Sequence, residues 1–202
     1  RVCGYLLLRF DVSNTRSSDG DFEDKLMSKE AEDIKYAIDF LEKNYKYKQL
    51  VLIGVSTGAI EACLYAYKDK RIDKLILLGG EADLKKAVHY DFSDEQIKEF
   101  KKNGFIVYDK PGKWYHNKKL NKAFYDEFFT LDISGAIKKY KKALLIIHGE
   151  KDKAVPVSNA YELSALANEP KKLVIMRGAD HRFSNFWHGL QVMYYVNKFI
   201  RH

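Results

Sequence analysis

The sequence predicts an α/β protein: a mostly parallel, doubly wound sheet with a helical, aromatic-rich insertion. Three observations carry that prediction. Short apolar runs of strand length recur along the chain, amphipathic stretches of helix length separate them, and Gly54-Val55-Ser56-Thr57-Gly58 sits at one strand-to-helix junction. Apolar runs without alternation belong to strands buried on both faces, and strands alternating with helices close a parallel sheet. The 202 residues are enough for one domain with a single sizeable core. A hydrophobic content of 46% and an aromatic content of 14% exclude disordered and fibrous classes.

Taken in order, Gly4 to Phe10 reads as a first apolar strand ending at Asp11. A polar loop rich in Ser, Asn, Asp and Gly follows to Asp24. Ser28 is the expected N-cap of a helix to about Asn44, with Ala31, Ile34, Tyr36, Ala37, Ile38, Phe40 and Leu41 as its apolar stripe. Leu50 to Ile53 is the next strand, the pentapeptide its turn, and Ala59 to Tyr67 a helix. Leu75 to Leu78 forms a third strand, closed by Gly79-Gly80. From Glu81 to Thr130 the pattern changes to polar and aromatic, so the expected division is a core of 1–80 and 131–202 with a cap insertion at 81–130. Helices are expected there at 93–103 and 118–130, with a short strand at Gly104 to Tyr108. A long insertion between regular units is more often functional than idle. The alternation resumes with strand Leu144 to His148, helix Ser158 to Leu166, strand Leu173 to Met176 and a closing helix, Phe186 to Ile200.

The formal charge of +7 comes from lysines scattered among acids, such as Lys85, Lys86, Lys101, Lys102, Lys138 and Lys139, which reads as a solvated surface. Without a basic block or zinc-finger spacing, no nucleic-acid partner is expected. Cys3 and Cys63 form neither a disulfide framework nor a metal-ligand spacing. No stretch approaches the roughly twenty apolar residues of a membrane span. No signal-peptide pattern is visible, so a cytoplasmic location is expected. The chain begins at Arg1, almost directly on a strand, and a missing leader, or more than a leader, is left open.

The pentapeptide alone is weak, since G-x-S-x-G turns up by chance in roughly 5–10% of chains this long. Its setting gives it a mechanism. A strand turning sharply into a helix forces the apical serine into strained geometry and exposes its Oγ, while the helix N-terminus favours developing negative charge. Such a nucleophile needs a base and a carboxylate to orient that base. Asp152 follows the strand Leu144–Ile147, and His181 follows Leu173–Met176. In a parallel sheet all such loops collect at one edge, so Ser56, Asp152 and His181 should converge. Each also has a bland reading: Asp152 as a turn cap before Pro156, His181 as an ordinary loop histidine. Among rivals, His148 reads as the terminal residue of its strand, His188 lies inside the last helix, and Asp180 is too close to His181 in sequence to face it.

Gly4-Tyr5-Leu6-Leu7-Leu8-Arg9-Phe10-Asp11 with Ser18-Asp19-Gly20-Asp21-Phe22-Glu23-Asp24 resembles the fourth-strand region of α/β-hydrolases. The branch it is most similar to holds cinnamoyl/feruloyl esterases, monoacylglycerol-lipase-like enzymes and serine-aminopeptidase-like hydrolases. Leu145 to Asp152 with Val155-Pro156 resembles that branch's acid loop, and Gly178-Ala179-Asp180-His181-Arg182-Phe183 its histidine loop. The resemblance implies Ser56 as nucleophile, His181 as base, Asp152 as its partner and the Thr57 N–H as an oxyanion donor. Two departures accompany it. Family members begin with about three more strands and a His-Gly motif that supplies a second oxyanion N–H, and the loss of one such donor costs about 10²–10³ in rate. A fragment, a sheet closed differently and a gap filled by another chain are the readings left open. The loop after Asp11 is Asn14-Thr15-Arg16 instead of Gly-His-Gly-like, and Val55 and Thr57 replace the common His and Met or Gln, which leaves substrate shape undefined.

The expected function is a serine hydrolase acting on small carboxylic esters or related acyl substrates, needing no metal or organic cofactor. The aromatic residues Trp114, Tyr115 and Phe128 suit an apolar or aromatic substrate group, or equally the packing of a cap. A non-catalytic binding protein on the same fold and an acyltransferase are the alternatives. The expected partner is the small-molecule ester, with oligomeric state open.

Overall fold

In the computed structural model, residues 4–201 are described; Cys3 lies outside them. Helix α1 (Met27–Asn44) is followed by strand β1 (Val51–Val55), helix α2 (Thr57–Ala66) and strand β2 (Lys74–Leu78). Helices α3 (Leu84–Asp91) and α4 (Asp94–Asn103), strands β3 (Phe105–Val107) and β4 (Lys119–Asn121), and helices α5 (Lys122–Thr130) and α6 (Ile133–Lys139) form the middle. Strand β5 (Ala143–Gly149), helix α7 (Ser158–Leu166), strand β6 (Lys171–Met176) and helix α8 (Phe186–Arg201) complete the chain. Contacts group these elements into two compact units. One takes the chain up to Lys48 with Asp94–Glu127, the other Gln49–Ser93 with the chain from Phe128 onward.

The second unit holds a four-stranded parallel sheet in the order β1-β2-β5-β6, the doubly wound arrangement that the alternation implies. Every residue of β2 is buried, and β5 is buried from Leu144 onward, which is why both read as unbroken apolar runs. Ile76, Leu78, Leu145, Ile147, Val174 and Met176 form a core cluster, against which Val192, Tyr195, Val196 and Phe199 of α8 pack. Lys74 is buried and its Nζ donates to the carbonyls of Phe199 and Ile200 at 2.9 and 3.0 Å, placing a cation on the last turn of α8. Strand β1 is an edge among the described residues, with Ile53 and Val55 exposed.

The first unit contains α1, α4 and the β3–β4 hairpin. Met27, Ala31, Ile34 and Ile38 are the buried stripe of α1, whereas Tyr36 and Phe40 lie outside it and are exposed. Ser28 is not the N-cap. The helix starts two residues earlier, with Leu26 at the cap position, and the Glu127 carboxylate accepts from the backbone N–H of Met27 at 2.6 Å and from that of Ser28 at 3.3 Å. Trp114 packs edge-on to Phe22 at 5.2 Å, and Tyr115 packs on Trp114 and Tyr108 at 5.6 and 5.1 Å.

Three local expectations are corrected. Gly4 to Phe10 forms no strand: only Tyr5 makes an isolated bridge, and Leu6, Leu7 and Phe10 are exposed. An apolar run becomes a strand only where a partner's N–H and C=O groups meet it, and here no ladder does. The expected helix at 118–130 divides into β4 and α5, because Lys119–Asn121 pair antiparallel with Phe105–Val107. Helices α3 and α6 lie in stretches with no expected element; Asp83 and Asp132 cap them by accepting from Lys85 N and Gly135 N. No helix among the described residues is long and apolar enough to cross a membrane.

Candidate active site

The loops that follow β1, β2, β5 and β6 share the carboxyl edge of the parallel sheet, the edge where α/β sheets build their sites. The first loop is a single residue. Ser56 stands between β1 and α2 with φ 56° and ψ −123°, a conformation costly for any residue with a Cβ. Surrounding contacts hold it there: Ser56 N donates to Leu78 O at 2.9 Å and Ala59 N donates to Ser56 O at 2.8 Å. Gly54 makes the bend feasible, since a Cβ at that position would lie 2.3 Å from the Gly58 carbonyl oxygen and 2.6 Å from Ala59 Cα. Gly58 itself faces open space, so of the two pentapeptide glycines only Gly54 is required by close approach.

His181 Nε2 lies 2.9 Å from Ser56 Oγ, and its Nδ1 lies 2.7 Å from Asp152 Oδ2. The N–H on Nδ1 therefore donates to the carboxylate, which leaves Nε2 as the acceptor for the serine proton. Asp152 is in turn held by its other oxygen, which accepts from Ala154 N at 2.9 Å and Val155 N at 2.8 Å. The structure thus brings Ser56, Asp152 and His181 into one hydrogen-bonded chain across 125 residues of sequence. Thr57 is the first residue of α2, so its N–H lies at the helix N-terminus, where the usual acceptor four residues back is missing.

The rivals fall elsewhere. Asp180 accepts from Ser184 N at 2.8 Å, and that bond lowers its pKa; it caps the turn after His181 and does not face the ring. His148 is fully buried in β5 behind Asp152, with Nε2 donating to Val155 O at 2.9 Å and lying 3.3 Å from Asp152 Oδ2. Burial lowers its pKa, so it backs the carboxylate as a neutral ring. Two further residues lie at the site without a sequence signal for it. Gly79, just past β2, leaves no room for a side chain beside the histidine: a Cβ there would lie 3.2 Å from His181 Cε1 and 3.7 Å from Asp152 Oδ2. Two residues on, Glu81 is a buried carboxyl whose neighbourhood includes Asp152 and Asp91. Only their position marks them, since any residue just past β2 arrives at the same edge as the serine.

Phe128 is buried, with its ring 5.3 Å from that of Phe92. The buried Cys63 thiol of α2 is pushed up to about 12 by desolvation and stays protonated.

Residues 16–166 match the family described as BD-FAE. Among curated proteins no sequence matches. Among solved structures, the chain resembles the esterase domain of a Rhodothermus marinus protein at 21% identity and a TM-score of 0.61, covering 80% of this chain and 64% of that one. It resembles Est1E from Butyrivibrio proteoclasticus, with ferulic acid bound, at 23% identity and a TM-score of 0.74, covering 95% and 76%. It also resembles mouse alpha/beta hydrolase domain-containing protein 10 at 20% identity and 0.74, covering 96% and 76%. At these identities the likeness is one of fold. The chain spans less than two thirds of the first of these relatives.

Proposed function

From the premise that this chain belongs to the BD-FAE family, we propose that it is a serine hydrolase cleaving carboxylic esters through an acyl-enzyme on Ser56. The observation that carries the reading is the continuous chain Ser56 Oγ–His181 Nε2, 2.9 Å, and His181 Nδ1–Asp152 Oδ2, 2.7 Å. Nucleophile, base and orienting acid stand in hydrogen-bond reach, in the geometry that acyl transfer needs.

In this mechanism Ser56 Oγ attacks the ester carbonyl carbon while His181 Nε2 takes its proton. The carbonyl oxygen becomes the oxyanion, with the Thr57 N–H and the positive end of α2 directed to it. Collapse breaks the bond to the alcohol oxygen, which leaves with the proton from His181. Water then adds to the acyl-enzyme, His181 again taking a proton, and Ser56 is regenerated with release of the acid. Asp152 holds the tautomer and stabilises the imidazolium throughout. Small acyl groups are the substrate class we propose, with a cytoplasmic setting in keeping with the free thiol at Cys63. The experiment is hydrolysis of p-nitrophenyl acetate and butyrate by the chain and by Ser56→Ala. Turnover that falls about 10⁴-fold or more in the variant supports the reading; equal turnover in both removes it.

A further inference from the structure

Strand β5 is buried from Leu144 onward, and His148 is its one polar side chain. By strand alternation His148 shares a face with Leu144 and Ile146, and none of its side chain is exposed. An imidazole in such a place costs more than a leucine unless its nitrogens are used. One of them is. Nδ1 is buried with no hydrogen-bond partner among the described residues, whereas Nε2 lies 2.9 Å from Val155 O and 3.3 Å from Asp152 Oδ2. With two oxygens in front of it, Nε2 must carry the proton, since a lone pair there would face both. Burial keeps the ring neutral, so Nδ1 carries none.

That N–H closes a small clamp. Val155, whose carbonyl accepts it, donates its own N–H to Asp152 Oδ1 at 2.8 Å, beside Ala154 N at 2.9 Å. Asp152 Oδ2 is met by His181 Nδ1 at 2.7 Å and passed by the His148 N–H at 3.3 Å. The Asp152 side chain is wholly shielded from solvent, so protein N–H groups decide where its oxygens sit. Resting on the serine-hydrolase reading above, we propose that His148 is a positioning residue for the reaction. From a strand paired on both sides it holds the Val155 carbonyl, fixes the turn from Asp152 to Val155, and so fixes the carboxylate that orients His181. The demand is greatest once His181 has taken the serine proton, because the imidazolium then needs Asp152 Oδ2 at hydrogen-bond distance. Loss of the clamp should therefore lower kcat and spare KM.

The test begins with long-range proton–nitrogen NMR of the unmodified chain at pH 7. A proton on Nε2 of His148 is expected, and a proton on Nδ1 overturns the proposal. Rates then separate positioning from packing. His148→Leu should slow fluorophosphonate labelling of Ser56 about tenfold, and lower kcat for p-nitrophenyl butyrate by a similar factor with KM unchanged. His148→Gln, whose amide stands where Nε2 stood, should recover most of that loss, and His148→Asn, whose amide stands where Nδ1 stood, should not. In Asp152→Asn, with no carboxylate left to position, His148→Leu should alter labelling less than about twofold. Equal losses with and without Asp152, or labelling of His148→Leu at the unmodified rate, overturn the proposal. Should His148→Leu fail to fold, equal rates in His148→Gln and His148→Asn overturn it. Absence of Ser56 labelling in the unmodified chain would instead overturn the hydrolase reading, a result distinct from any ratio within the His148 series.

Discussion

Replacing Gly79 by alanine separates the geometry of the site from the stability of the fold. Gly79 has φ +60°, so alanine there carries left-handed strain of about 1–2 kcal/mol. Its methyl would also stand 3.2 Å from His181 Cε1 and 3.3 Å from Nδ1, inside the 3.5–4.0 Å of ordinary carbon contact. The ring must move by a few tenths of an ångström, which alters the 2.7 and 2.9 Å bonds to Asp152 and Ser56 together. A displacement of 1 Å is worth about 10² in rate, so a shift of a few tenths should lower kcat about four- to tenfold. The strain should lower Tm by about 3–6 °C for a domain of this size. Gly112→Ala is the control: φ is +79° and nothing lies within 4 Å of the added methyl. It should lower Tm by a similar amount and leave kcat for p-nitrophenyl butyrate unchanged. Equal kcat in Gly79→Ala and Gly112→Ala would refute the contact argument.

Two further predictions concern stability. Hydrogen bonds from the Arg71 side chain hold Asp69 down at about 2, against an ordinary value of 3.8. A depressed carboxylate lends its stability above its unfolded pKa and loses it as the pH falls toward the folded one. Arg71→Ala should therefore cost about 1–2 kcal/mol by urea denaturation at pH 7, and the difference should collapse near pH 2; a constant difference would contradict the assignment. Glu127 accepts from Met27 N and Ser28 N in place of a local cap, so Glu127→Ala should cost about 1–2 kcal/mol, while Ser28→Ala, which keeps both N–H groups and loses only the hydroxyl's bond to Glu127, should cost less. The reverse order would show that Ser28 caps its own helix.

Much of the site was legible because its parts are local. Gly54-Val55-Ser56 declares its turn, and Asp152 and His181 each stand a few residues past an apolar run, so a parallel sheet alone brings them to one edge. What could not be read depends on distant partners. Leu6 to Phe10 has strand composition, but pairing decides strand formation and composition cannot report it. Glu127 caps a helix about 100 residues away, which no capping motif encodes. Glu81 looks like any surface acid in sequence; only the fold, by placing Gly79 against His181, buries it beside the triad. Trp114 and Tyr115 suit a substrate role or packing in the sequence, and what only the fold adds is their edge-on contacts with Phe22 and Tyr108.

The central claim is that Ser56 is the nucleophile that carries the acyl group. The most direct measurement is mass spectrometry of the chain after reaction with a fluorophosphonate, with peptide mapping of the adduct. A single adduct per chain is expected on the peptide containing Ser56, lost in Ser56→Ala and slowed at least a hundredfold in His181→Ala. An adduct on another residue, or labelling of Ser56→Ala at the rate of the unmodified chain, would contradict it.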